Sequence, residues 1–155
     1  NAGNWGATPL TREEFRDQAR ELLRISRPDL IQVGEYDGRI VGFIGAAPDV
    51  NEILPRLGRG RLWPIGWLKL LLGWRSISGS RIVIYGVDPE HRGSGLANWL
   101  YLAIIRALRK HGYAGAEASY VLEDNHPVNS ISAKLGGVCR KRYAILEKAL
   151  DSRAV

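Results

Sequence analysis

The stretch from Arg81 to Ala97 constrains the fold more than any other part of this chain. A β-branched run, Arg81 to Val87, is bounded by glycine and proline and reads as a central strand. The turn Asp88-Pro89-Glu90-His91-Arg92-Gly93-Ser94-Gly95 follows, and then Leu96, Leu100, Ala103, Ile104 and Leu108 keep helical spacing as far as His111. Gly112 stands where a left-handed helix C-cap is expected. Strand, glycine-rich turn and helix in that order put unpaired backbone N–H groups at a helix N-terminus, which makes an anion site. Gly93 and Gly95 let the main chain come close to a phosphate, and the helix dipole and Arg92 add positive potential. Gly-x-Gly before a helix also occurs in ordinary strand-to-helix turns, so the surrounding elements decide its meaning.

Upstream, Thr11-Arg12-Glu13-Glu14 is a capping-box pattern, and Phe15, Ala19, Leu22 and Leu23 continue it at helical spacing. A first helix is expected from Thr11 to Ile25, ended by Arg27-Pro28. Ile31 to Tyr36 then meets Asp37-Gly38, a dipeptide suited to a tight hairpin, with Ile40 to Ala46 as the return strand. Pro48 closes that strand, and a long connection from Asp49 to Ser80 holds the tryptophan-rich segment Leu62 to Trp74. Downstream, Ala116 to Leu122 reads as a strand, Asn125 to Leu135 as a short helix, and Val138 to Lys148 as one or two closing strands. Helix, hairpin, strand, helix, strand, helix, strand is an α/β (α+β) order, a mixed sheet with helices on its faces.

A chain of 155 residues buries one sizeable core, so residues 1–155 are expected to form a single domain. The one cysteine, Cys139, forms no intrachain disulfide and reads as a small apolar residue, which fits a reducing, cytoplasmic setting. No secretory leader precedes the first helix, and a start at Asn1 reads as an internal or trimmed one. The three histidines lack metal-site spacing, so no metal is expected; His91 and His126 lie in turns and read as surface groups. The net charge of +6 and pI near 9.8 suit a polyanionic ligand. The basic residues are spread out and no nucleic-acid module accompanies them, so no nucleic-acid partner is expected. The apolar run from Leu62 to Trp74 is too short and too interrupted to cross a bilayer.

The segment Val87-Asp88-Pro89-Glu90-His91-Arg92-Gly93-Ser94-Gly95-Leu96-Ala97 resembles the acyl-CoA motif of the GCN5-related N-acetyltransferase superfamily, with Arg92, Gly95 and Ala97 in its three fixed positions. Asn125 and Lys134-Leu135-Gly136-Gly137 are similar to the asparagine and Lys-Leu-Gly ending of that family's later helix. The wider run, with Asn4-Trp5-Gly6, Pro48-Asp49-x-Asn51 and Leu122-Glu123-Asp124-Asn125, resembles a subgroup of larger bacterial proteins in which this domain is the C-terminal part. The resemblance implies a mixed, mostly antiparallel central sheet with helices on both faces. Only about ten residues precede Thr11, so the family's first strand is short or missing here.

What the resemblance implies for function is an N-acyltransferase that moves an acetyl or longer acyl group from acyl-CoA to an amine of a small molecule or peptide by direct attack. The cofactor-binding residues would be Val87, Arg92, Gly93, Ser94, Gly95, Leu96, Ala97 and Asn125. Glu123 is the candidate general base, against a plain turn carboxylate. The family's usual acid, a tyrosine seven residues after Asn125, is replaced by Ser132, and Tyr85 and Tyr143 are the candidates to stand in for it. Asp49 and Asn51 are candidate acceptor-binding residues, or simply turn chemistry. Trp63 and Trp67 belong to a segment expected to cover the acceptor end. Packing against a missing neighbouring domain is the first reading of that segment, an apolar acyl or acceptor pocket the second, and a membrane-surface contact through Arg59, Arg61, Lys69 and Arg75 the third. The rival to catalysis is a non-catalytic acyl-CoA-binding or interaction domain.

Overall fold

A computed structural model describes residues 11–57 and 66–146. They fall into two compact units, residues 1–122 and residues 123–155. In the first unit α1 (Arg12–Ile25) leads into β1 (Ile31–Tyr36), β2 (Arg39–Pro48), α2 (Gly66–Trp74), β3 (Gly79–Val87), α3 (Leu96–Lys110) and β4 (Gly115–Ala118). The second holds α4 (His126–Lys134).

Thr11 caps α1 through a complete capping box: its hydroxyl accepts from the Glu14 amide, and the Glu14 carboxylate accepts from the Thr11 amide at 2.8 Å. Two of the orphan donors of the helix end are thereby satisfied. The β1–β2 hairpin turns on Asp37 and Gly38, both with positive φ, as the dipeptide requires. The sheet has strand order β1-β2-β3-β4. Its first three strands run antiparallel, and β4 joins β3 in parallel.

Helices cover both faces, and the central strand lets them come close. A Cβ added at Gly42 would lie 3.1 Å from the side chains of both Leu96 and Leu100, so α3 presses on that face. A Cβ at Gly45, on the opposite face, would lie 3.1 Å from Leu22 of α1. Phe15 of α1 meets Phe43 edge-on at 6.0 Å on the same side. Leu30, Ile44, Ile53 and Ile104 are sealed in the core at 1% exposure or less. Burying each removes a full aliphatic side chain from water, roughly 1.5–3 kcal/mol apiece.

The far end of α3 is tied to the chain before β1. The His111 ring bonds the Asp29 carboxylate, and Lys110 Nζ stands 3.6 Å away. The hydrogen bond from His111 holds the Asp29 carboxyl below its ordinary value of 3.8, against an opposing desolvation. A depressed folded-state pKa contributes stability that is full above the unfolded value and fades as pH falls through the folded one. Asp29→Asn is therefore expected to lower the melting temperature at neutral pH. The gap to wild type should narrow as the pH is taken below 3.8; thermal melts across that range check it.

Two sequence expectations change. The strand expected over Ala116 to Leu122 is the four-residue β4, because its ladder with β3 ends at Ile82 opposite Ala118 and Tyr120 turns the chain with φ +56°. Residues 138–146 form no closing strand: Val138, Tyr143, Ile145 and Leu146 are largely exposed, and no second strand exists among the described residues of that unit to pair with them. The stretch before Thr11, where the family's first strand is expected to be short or missing, lies outside the described residues, as do Lys148 and Trp63.

Candidate functional site

The turn between β3 and α3 is built for conformation rather than for packing. Gly93 and Gly95 have φ of +82° and +88°, and a Cβ at either would meet no protein atom within 4 Å. The left-handed backbone therefore demands glycine, while the space beside it stays open. Ser94 braces the turn: its Oγ donates to the His91 carbonyl at 2.7 Å and accepts from the Leu96 amide at 3.3 Å. The amides of Gly93, Gly95, Ala97 and Asn98 carry no hydrogen bond to any described residue. Donors left over at a helix N-terminus, open space beside the glycines and the exposed Arg92 form a site with the electrostatics to hold a phosphate.

Next to this turn the sheet opens. Pairing of β3 with β4 covers only Gly79 to Ile82, so the edge of β3 from Val83 to Val87 has no strand partner on that side among the described residues. On its other side β3 pairs with β2, where Gly45 faces Ile84 and Ala46 faces Ile82, leaving Val83 as a bulge. An unpaired strand edge offers main-chain donors and acceptors to an extended ligand. The edge runs from the bulge to Val87, and the short 3-10 turn Pro89–His91 joins it to the glycine turn.

Tyr85 stands in that stretch, half-buried, with its ring 5.3 Å from Tyr101 of α3. Burial pushes the Tyr85 hydroxyl up from its ordinary value, and the nearby Arg92 charge pulls it back only in part. Burial, with Tyr85 adding to it, pushes Tyr101 up to about 12. Both phenols thus stay protonated across neutral pH, which leaves Tyr85 able to donate a proton or a hydrogen bond. His91 packs on Tyr36 at 5.4 Å, and its buried Nδ1 has no hydrogen-bond partner.

At the opposite end of β3 a cluster emerges that the sequence did not reveal. Arg81 reaches Glu117 of β4 at 3.1 Å, and its Nε lies 4.0 Å from Asp49 at the end of β2. Asp49 also accepts from the Asn51 backbone at 3.1 Å and side chain at 2.9 Å. Asp49 and Asn51 are thus brought together, primarily as turn chemistry that caps the short 3-10 turn Val50–Glu52. Glu52 in turn accepts from the Ser78 amide at 2.9 Å and fastens the start of β3. The only signal for Glu117 was an acidic residue between two alanines in a strand.

In the second unit Asn125 caps α4 without a side-chain hydrogen bond. The Glu123 carboxylate is 94% exposed and 3.7 Å from Arg142. Its carbonyl accepts from Asn129 at 3.2 Å. Tyr143 lies in the irregular stretch after α4 and is 75% exposed. Ser132, in the middle of α4, is half-buried. Trp67 lies in the first turn of α2 and faces outward. No cluster of metal-ligating side chains occurs among the described residues, and no described helix is long and apolar enough to cross a membrane.

Residues 4–136 match the Acetyltransferase (GNAT) family. Among curated relatives, the chain is 36% identical to the bacterial ceramide synthase of Caulobacter vibrioides over 95% of its own length. It is 34% identical to Protein YghO of Escherichia coli over 95% of its length. It spans only 40% and 39% of those two proteins, respectively. Among solved structures, it resembles AAC(6')-Iy in complex with a CoA bisubstrate analogue, with a TM-score of 0.59 and 17% identity over 94% of this chain and 84% of that one. The ribosomal-protein-alanine N-acetyltransferase of Brucella melitensis follows the same fold, with a TM-score of 0.56 and 18% identity over 86% of this chain and 67% of that one. A strand, a glycine-rich turn with free amides and a helix, set in a sheet that opens beside them, agree with the family match, and the chain belongs to the acetyltransferase (GNAT) family.

Proposed function

We propose that this chain is the acyl-CoA-using part of an N-acyltransferase whose acceptor is a long-chain amino alcohol. The observation that carries the reading is the turn Arg92–Asn98, with its four free amides and two obligatory glycines opening α3. The acceptor class rests on the relative named a bacterial ceramide synthase, since a ceramide is by its chemistry the N-acyl derivative of such an amine.

In this reading acyl-CoA supplies a thioester carbonyl that the neutral amine attacks, with an amide formed and the thiolate released. The amides of Gly93, Gly95, Ala97 and Asn98 and the Arg92 guanidinium hold the pyrophosphate. Main-chain groups on the open edge of β3, from Val83 to Val87, align the extended arm, and an N–H near the bulge faces the developing oxyanion. Tyr85 is the proposed proton donor to the thiolate, its hydroxyl kept protonated by burial; Tyr143, exposed and in irregular chain, has less to hold it in place. Glu123 is the proposed base for the amine and Asn125 a proposed cofactor contact.

Calorimetric titration with CoA, acetyl-CoA and a long-chain acyl-CoA, followed by an assay of free thiol release with a long-chain amino alcohol, tests the proposal. Saturable binding and acceptor-dependent thiol release are expected, and absence of both sinks it. Tyr85→Phe should preserve CoA binding and slow release by roughly a hundredfold or more, the range of a lost proton donor. Glu123→Gln should likewise spare binding and slow transfer. An unchanged rate in either variant removes that residue from the chemistry. A second reading, acyl-CoA binding without turnover, is favoured by Ser132 at the position of the family's usual acid, and binding without thiol release would select it.

A further inference from the structure

We propose that α2 is a membrane-surface helix that lays its apolar face on an anionic lipid bilayer. The helix shows one side to the protein and the other to solvent. Gly66 and Gly73 are buried, and a Cβ at Gly73 would sit 3.1 Å from Ile53, so the glycine side is pressed against the body of the unit. On the other side Trp67, Leu68, Leu71, Leu72 and Trp74 are 53%, 39%, 64%, 68% and 41% exposed. Their positions, 67, 71 and 74 beside 68 and 72, fall on a single helical stripe. Trp67, Leu70, Leu71 and Trp74 also enclose a shallow apolar hollow of about 290 Å³. Five large apolar side chains grouped on one short helix are far more than scattered surface hydrophobics.

Charge decides what covers this face. From Ile53 to Val87 the chain contains no Asp or Glu and six basic residues: Arg56, Arg59, Arg61, Lys69, Arg75 and Arg81. The chain has 22 basic and 16 acidic residues in all, so removing these six leaves sixteen of each, and the whole +6 charge resides in this stretch. Of the three whose side chains are described, Lys69, Arg75 and Arg81, Arg81 meets Asp49 and Glu117, and no ion pair forms at Lys69 or Arg75 among the described residues. Lys69 and Arg75 are exposed on and just after α2, beside the apolar stripe. Apolar residues with two tryptophans, flanked by cations and free of acids, match the interface of a bilayer with negative headgroups. Each cation near such a surface adds about fivefold in affinity. A nine-residue helix is about 13 Å long, less than half of a bilayer core of about 30 Å, so it lies on the surface rather than across it.

The experiment floats the 155-residue chain with vesicles of phosphatidylcholine, with and without roughly one third phosphatidylglycerol. The chain should float with the anionic vesicles, bind the neutral ones about tenfold or more weakly, and be released as salt screens the headgroups. Leu71→Glu with Leu72→Glu should abolish flotation with little change in thermal melt, since both side chains are already mostly in water. Lys69→Glu with Arg75→Glu should remove the preference for anionic vesicles while leaving the apolar face intact. Failure of the wild-type chain to float with anionic vesicles overturns the proposal, as does undiminished flotation of the double glutamate variant. A wild-type dimer that the same variant turns into a monomer, with no vesicle binding, assigns the face to a second copy and also overturns it.

Discussion

Replacing Gly95 by valine is expected to weaken CoA binding by about a hundredfold or more, read by calorimetric titration. At φ +88° a β-branched residue carries strain of order 2–3 kcal/mol, and about 2.8 kcal/mol already equals a hundredfold. The turn will instead relax toward negative φ, which swings the amides of Gly95 and its neighbours off their common target. Because no protein atom lies within 4 Å of the added Cβ, the loss falls on the ligand and the fold should melt nearly as before. Gly95→Ala should lie between the two, since alanine enters the left-handed region at lower cost. Wild-type affinity in the valine variant would take the phosphate site away from this turn.

The second large effect is on stability. Ile104 is fully sealed between α3 and the sheet, and Ile104→Ala should cost about 2–5 kcal/mol, the range for deleting a buried aliphatic side chain that its neighbours only partly refill. For a chain of this size that corresponds to a fall of roughly 10 °C in melting temperature, measurable by calorimetry or circular dichroism. Leu102→Ala, two residues away and 40% exposed, should cost a fraction of that. Equal losses in the two variants would mean that the described face of α3 is not the one that packs.

What the sequence made legible follows from how local each determinant is. The capping box at Thr11, the hairpin at Asp37-Gly38 and the C-cap at Gly112 each depend on a few adjacent residues, and all three form where expected. The turn Arg92–Ala97 is also one contiguous stretch, so its glycines could be read directly. Arg81 and Glu117 could not, because 36 positions and a whole helix separate them, and only the parallel register of β3 with β4 brings them together. The strand expected over Val138 to Lys148 shows the reverse case. A strand exists only with a partner, and none of the described residues of that unit supplies one. The short β4 likewise depends on Tyr120, whose left-handed backbone no propensity would have suggested.

The glycines of β2 set the thickness of the first unit. Between α1 and α3 the strand offers Gly42 and Gly45, so Leu96, Leu100 and Leu22 rest there directly on backbone, with Phe43 meeting Phe15 beside them. A layer spacing fixed by main chain cannot be adjusted by changing rotamers. Leu22, Leu96 and Leu100 must each reach all the way to the sheet, and a shorter residue at any of them would leave a void that β2 cannot fill. Divergence among such chains should therefore proceed by paired exchange, with bulk gained on the strand only where an opposing leucine gives up the same volume.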